Sequence, residues 1–90
     1  MRRVKRKQLI VAFETTTAAM AFEQAATAQG IEGRLIPLPS EISAGCGLAW
    51  RTEPEKKTAL VSWASRHGLH WEAMHELEQY VYEDIDHGFG

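Results

Sequence analysis

From Gln8 to Phe13 the chain reads Gln-Leu-Ile-Val-Ala-Phe, an apolar run with β-branched and aromatic members that predicts a strand buried on both faces. The pattern then changes period. Thr15-Thr16-Thr17 offers hydroxyls for an N-cap, and Ala18, Ala19, Phe22, Ala25 and Ala26 recur at helical spacing until Gly30, placed as a C′ glycine. This is an amphipathic helix whose alanines permit close approach to a sheet. After Ile31-Glu32-Gly33, Arg34-Leu35-Ile36 predicts a second strand that stops where Pro37 removes a ladder donor. A third short extended run begins at Leu48 and reaches Arg51.

Thr52-Glu53-Pro54-Glu55 matches a capping box, with Thr52 as N-cap, Glu55 three residues on, and Pro54 in the first turn. The helix it predicts carries Leu60, Val61 and Ala64 on its apolar stripe, Trp63 at the margin, and ends at Gly68. Leu69 to Tyr82 fits two periods. Trp71, Ala73, His75 and Leu77 alternate as in a strand, whereas Trp71, Met74, Leu77 and Val81 suit a helix. Order along the chain selects the strand: two strand-helix-strand units joined in series make the βαββαβ arrangement of a ferredoxin-like α+β domain, which needs a last strand here. The expected architecture is two helices packed on one face of a four-stranded antiparallel sheet. Ninety residues make a single domain, 1–90.

Charge adds detail at the two ends. Arg2, Arg3, Lys5, Arg6 and Lys7 are five of the ten cations, leaving five against twelve acids elsewhere, a net of −7 for the body. Residues 1–7 therefore read as a basic, solvated N-terminal arm, and 83–90 as a flexible acidic tail. A basic arm can touch phosphates, but no aromatic residue interleaves its cations, which argues against nucleic acid as a partner. No apolar run approaches the roughly 20 residues of a membrane span, and Leu9–Phe13 is too short for the core of a signal peptide. One cysteine forms no internal disulfide, so the expected location is the cytoplasm, with no membrane association.

That cysteine is the candidate chemistry. Cys46 stands between Gly45 and Gly47 in Pro37-Leu38-Pro39-Ser40-Glu41-Ile42-Ser43-Ala44-Gly45-Cys46-Gly47, a segment too rich in Pro, Gly and Ser for a helix or central strand. The expectation is a structured loop between two strands that presents its thiol instead of packing it. Flanking glycines let backbone N–H groups turn toward a sulfur anion, Ser40 and Ser43 add hydroxyl donors, and Arg51 adds charge if the hairpin returns it. The opposing expectation is a small buried apolar residue, the common fate of a cytosolic cysteine. Cys46, Gly45, Gly47 and Ser43 form the candidate site.

These residues carry a resemblance. The strand ending at Phe13, the Thr-rich cap before an Ala-rich helix, Gly30-Ile31-Glu32-Gly33 and the motif Pro-x-x-Ile-Ser-x-x-Cys-Gly at Pro39–Gly47 resemble the selenium/sulfur (Se/S) carrier protein-like family of small bacterial proteins, over roughly Leu9 to Leu77. A departure falls at Ser40, where a basic residue is usual. The resemblance implies a cysteine that accepts and donates a persulfide or selenium adduct, with sulfur- or selenium-trafficking proteins as partners. Such a protein is a carrier more than a turnover enzyme and needs neither cofactor nor metal.

The remaining candidates are weaker. His67, His70 and His75 lie near Glu72, Glu76 and Glu78, but neither helical nor strand geometry brings His70 and His75 to one side, so solvated histidines are expected. Trp50, Trp63 and Trp71 are expected to share a core or rim. The alternative function is a non-catalytic interaction or regulatory module with an unreactive cysteine, able to form a homodimer through an open sheet face.

Overall fold

The computed structural model describes residues 2–83. Its elements run β1 (Arg2–Ala12), α1 (Thr16–Gln29), β2 (Arg34–Pro37), β3 (Leu48–Thr52), a 3₁₀ turn (Pro54–Lys56), α2 (Lys57–Arg66) and β4 (Ala73–Glu83). The sheet order is β2-β3-β1-β4 with antiparallel neighbours throughout, the ferredoxin-like α+β arrangement that the pattern predicted. Leu9, Ile10, Val11 and Ala12 are at most 1% exposed, as a central strand covered on both faces requires. The ambiguous last stretch is a strand. The proposed acidic tail lies outside the described residues except for Glu83, which closes β4.

Alternation sorts the core into two layers. Leu9, Val11 and Phe13 face the helices with Ala19, Phe22, Ala26, Trp50, Leu60, Trp63 and Ala64. Phe22 is the hub: its ring lies 5.4 Å from Phe13, 5.3 Å from Trp50 and 5.6 Å from Trp63, in edge-on or tilted geometries that aromatic quadrupoles favour. Trp71 sits half-buried at the rim of the same layer. Ile10, Ala12 and Ala49 face the other way, and there Ile42 from the β2–β3 loop packs onto them with Leu38 and Ala44 beside it. The long loop thus folds down over part of the helix-free face.

Helix α1 begins as its threonines suggested. Thr15 is extended, its Oγ1 accepts the Ala18 N–H at 3.1 Å, and Gly30 at φ 70° ends the helix by donating to the Ala26 and Thr27 carbonyls. Thr15→Ala is expected to cost about 1 kcal/mol, read as a lower urea midpoint at unchanged m-value.

Two boundaries depart from expectation. Thr52 does not cap α2; it is the last residue of β3, 6% exposed, and its hydroxyl donates to the Glu32 carbonyl at 2.9 Å. A buried hydroxyl must find a partner, and the α1–β2 connection supplies one inside the sheet edge before a helix can use it. The chain instead enters α2 through the 3₁₀ turn at Pro54, with Glu53 ahead of it making no side-chain cap. Trp63 lies at the centre of the α2 stripe, not at its margin, and Val61 is half-buried. At the N-terminus, Arg2–Lys7 is not a separate arm: it continues β1 and pairs residue by residue with Glu78–Glu83 of β4. Cations on both faces suit a strand whose two sides are both wet, and Val4 alone gave no apolar period to reveal it.

Candidate functional site

The β1–α1 turn, the β2–β3 loop and the α2–β4 connection all lie at one end of the sheet, since β1 and β2 finish there while β3 and β4 start there. The loop is tied at its base by Leu38 N–H donating to the Gly47 carbonyl at 3.0 Å and turns at Pro39–Ile42, where Ile42 N–H reaches the Pro39 carbonyl at 3.0 Å. Ile42, 7% exposed, anchors it on the helix-free face, while Cys46 lies in the helix-side layer. The segment thus wraps around the end of the sheet and contributes to both layers.

Three neighbours hold its second half. Cys46 N–H donates to the Phe13 carbonyl at 3.2 Å, Gly45 N–H to the Glu72 carboxylate at 3.3 Å, and Glu72 is itself fixed by its own N–H on the Ala12 carbonyl at 2.7 Å. Gly45 also presses directly against the Glu14 backbone, where a Cβ would overlap the Glu14 carbonyl oxygen. Its glycine identity is thus a matter of close approach.

The thiol is packed, not presented. Cys46 is 6% exposed and belongs to the cluster that contains Phe13 and Phe22, against the expectation of an accessible loop sulfur. Loop residence did not imply exposure because the hydrogen bonds at Phe13 and Glu72 pull the chain inward over the end of the core. The sulfur accepts the Leu48 N–H at 3.3 Å and stands 3.6 Å from the Leu48 carbonyl, to which its S–H can donate. One amide therefore points at the sulfur, and it is that of Leu48; the Gly45 N–H is turned to Glu72 instead.

The other candidates disperse. Ser40 and Ser43 are exposed and, among the described residues, neither makes a hydrogen bond to the sulfur. Gly47 is exposed and a Cβ there would meet nothing within 4 Å. Arg51 is cross-strand partner to Ile10 and Arg34, which places it on the opposite face of the sheet from Cys46. Burial, and then the like charge of Arg34, pull its guanidinium below its ordinary value. Among the described residues no group of three or more His, Cys, Asp or Glu side chains comes together to hold a metal ion. His70 and Trp71 instead line a cleft of about 450 Å³ with Glu14, Thr15, Thr17, Ala18 and Ala21 at the start of α1.

What sequence reasoning missed is the pair of anchors, Glu72 and the Glu14 backbone. Neither carries a local signal, because the partner of each lies some thirty residues away in the loop. The stretch from Gln8 to Glu76, which contains every one of these anchors and the thiol, matches the family described as "Putative Se/S carrier protein-like" over residues 8–76. The chain belongs to this family. No curated protein and no solved structure matches it. Within the Se/S carrier-like family match fall both helices, β2, β3, the whole cysteine loop and the inner halves of β1 and β4. Among the described residues, no helix is long and apolar enough to cross a membrane.

Proposed function

We propose that Cys46 is the atom-bearing residue of a sulfur or selenium carrier and that the loop must lift before it can load. The observation that carries this reading is the place of the chain's single thiol: within the family's matched stretch, bonded to the Leu48 amide, in a loop held by a few separable contacts. In the loading step the Cys46 thiolate attacks the outer sulfur of a donor persulfide, R–S–SH. The bond from R–S to that sulfur breaks, R–S⁻ leaves with the electron pair, and Cys46–S–SH forms with no net oxidation. An acceptor thiolate repeats the exchange and regenerates Cys46. The partners are proteins that traffic sulfur or selenium, and the role of Gly45 is to let the loop close against Glu14 between exchanges. Gly47 leaves the outer side of the cysteine uncrowded, and Ser43 stands in solvent on the same loop.

Incubation with a cysteine desulfurase and cysteine, followed by intact-mass measurement, is expected to add about 32 Da, one sulfur atom, to the wild type and nothing to Cys46→Ser. A wild type that gains no more than the variant defeats the proposal. The burial of Cys46 favours a second reading, in which the chain is an interaction module with a structural cysteine. Alkylation separates the two: a thiol that reacts only after global unfolding belongs to the module, and one that reacts through local opening belongs to the carrier.

A further inference from the structure

Leu9–Ala12 of β1 has neighbours on both sides, β3 and β4, but Arg2–Gln8 pairs with β4 alone. The outer halves of the two longest strands therefore leave the sheet as a two-stranded ribbon, a form that is marginal in water without further contacts. The ribbon residues 2–7 and 77–83 lie outside the stretch matched to the carrier family, so the carrier reading does not account for them.

Register decides what this ribbon displays. Arg3 stands opposite Tyr82, Lys5 opposite Tyr80 and Lys7 opposite Glu78, all on one face and all exposed. Tyr80 is 53% and Tyr82 69% exposed, and both are among the exposed large apolar side chains of the described residues. The Arg3 guanidinium lies over the Tyr80 ring, 4.1 Å from its centroid, and the Lys5 ammonium 5.6 Å from it, so two cations cluster at this ring. Among the described residues, Arg3, Lys5 and Lys7 make no ion pair; Arg6, on the other face, takes Glu83 at 2.9 Å. Read along the chain, the cations have no aromatic among them; read across the strands, they alternate with two tyrosines.

From this juxtaposition we infer that the Arg3–Lys5–Lys7 and Tyr80–Tyr82 face of the ribbon binds single-stranded nucleic acid. Cations two residues apart on a strand recur about every 6.8 Å, comparable with successive phosphates of an extended strand. Exposed tyrosine rings beside them offer base-stacking platforms, the second half of single-strand recognition. The rest of the protein is acidic on balance, which leaves the ribbon with five of the ten cations of the chain. An anionic membrane would answer to the cations as well, and tyrosines suit its interface, but it has no use for the regular spacing of the cations.

The test is fluorescence anisotropy of the full chain with a labelled short oligouridylate across a salt series, with anionic phosphatidylserine vesicles in parallel. Binding is expected with a slope of log K against log salt of about −2, the value for three phosphate contacts to a single strand. Arg3→Gln/Lys5→Gln/Lys7→Gln should flatten that slope toward zero. Tyr80→Ile/Tyr82→Ile, which keeps strand propensity, should weaken binding about tenfold or more while leaving the slope unchanged. Weakened binding with an unchanged slope in the cation variant, no oligouridylate binding at low salt, binding indifferent to both variants, or capture by vesicles but not by oligouridylate would each overturn the inference.

Discussion

Gly33→Ala is expected to destabilise the protein by about 3 kcal/mol, measured as the shift in urea midpoint at constant m-value. Gly33 has φ 152°, a backbone region that L side chains rarely enter. A Cβ added there would overlap Cζ2 and Cη2 of the Trp50 indole and stand 2.8 Å from the Arg51 carbonyl oxygen. Neither obstacle yields cheaply. Trp50 is 1% exposed and packed on Phe22, and the Arg51 backbone belongs to β3, paired on both sides. Relief must therefore come from moving the indole, which transmits the disturbance through Phe22 to Phe13 and Trp63 and should alter tryptophan fluorescence and near-UV dichroism together. A loss under about 1 kcal/mol with unchanged fluorescence would mean that Trp50 is not wedged against the α1–β2 connection.

Much of this geometry could be read along the chain, and the parts that could not share one physical cause. Residues whose role is set by neighbours a few positions away were legible: the buried run at Leu9–Phe13, the Thr15 cap and Gly30 stop of α1, and the strand-ending Pro37. The last strand was legible only from the order of elements, because Trp71–Val81 satisfies both periods. Roles set across the sheet were not. Thr52 looked like a cap and is a buried strand residue because Glu32, twenty residues earlier, takes its hydroxyl. The basic N-terminus looked like an arm because its strand partner lies more than seventy residues on. Cys46 illustrates the same limit at the site. The composition of its loop foretold irregular backbone, but whether such backbone stands away from the core or folds over it depends on Phe13, Glu14 and Glu72, and on Ile42 finding Ile10, Ala12 and Ala49. The family motif was legible, and the burial of its cysteine was not.

The same anchors yield the strongest expected effect on the site. Gly45→Ala should raise the alkylation rate of Cys46 in the folded protein by about tenfold to a hundredfold. The added Cβ would overlap the Glu14 carbonyl oxygen and lie 3.2 Å from its carbonyl carbon and 3.3 Å from its Cα, so something must move, and everything it meets is backbone. Glu14 is the less yielding side, held between Phe13, which is fully buried, and Thr15, the cap of α1. The loop yields instead, since it is held there by the Cys46 and Gly45 amide bonds, the second of them at 3.3 Å to an exposed side chain. Overpacking of this kind costs roughly 1–3 kcal/mol. Because each 1.4 kcal/mol taken from closure raises the open population tenfold, that cost translates into the stated range of rates when opening precedes reaction. Ile42 still fastens the first half of the loop to the far face, so the change should be local, with far-UV dichroism intact. Iodoacetamide kinetics on wild type and variant at neutral pH give the measurement. A folded Gly45→Ala protein whose Cys46 reacts no faster than wild type would show that the loop does not gate the thiol, and the loading step proposed for this carrier would lose its entry route.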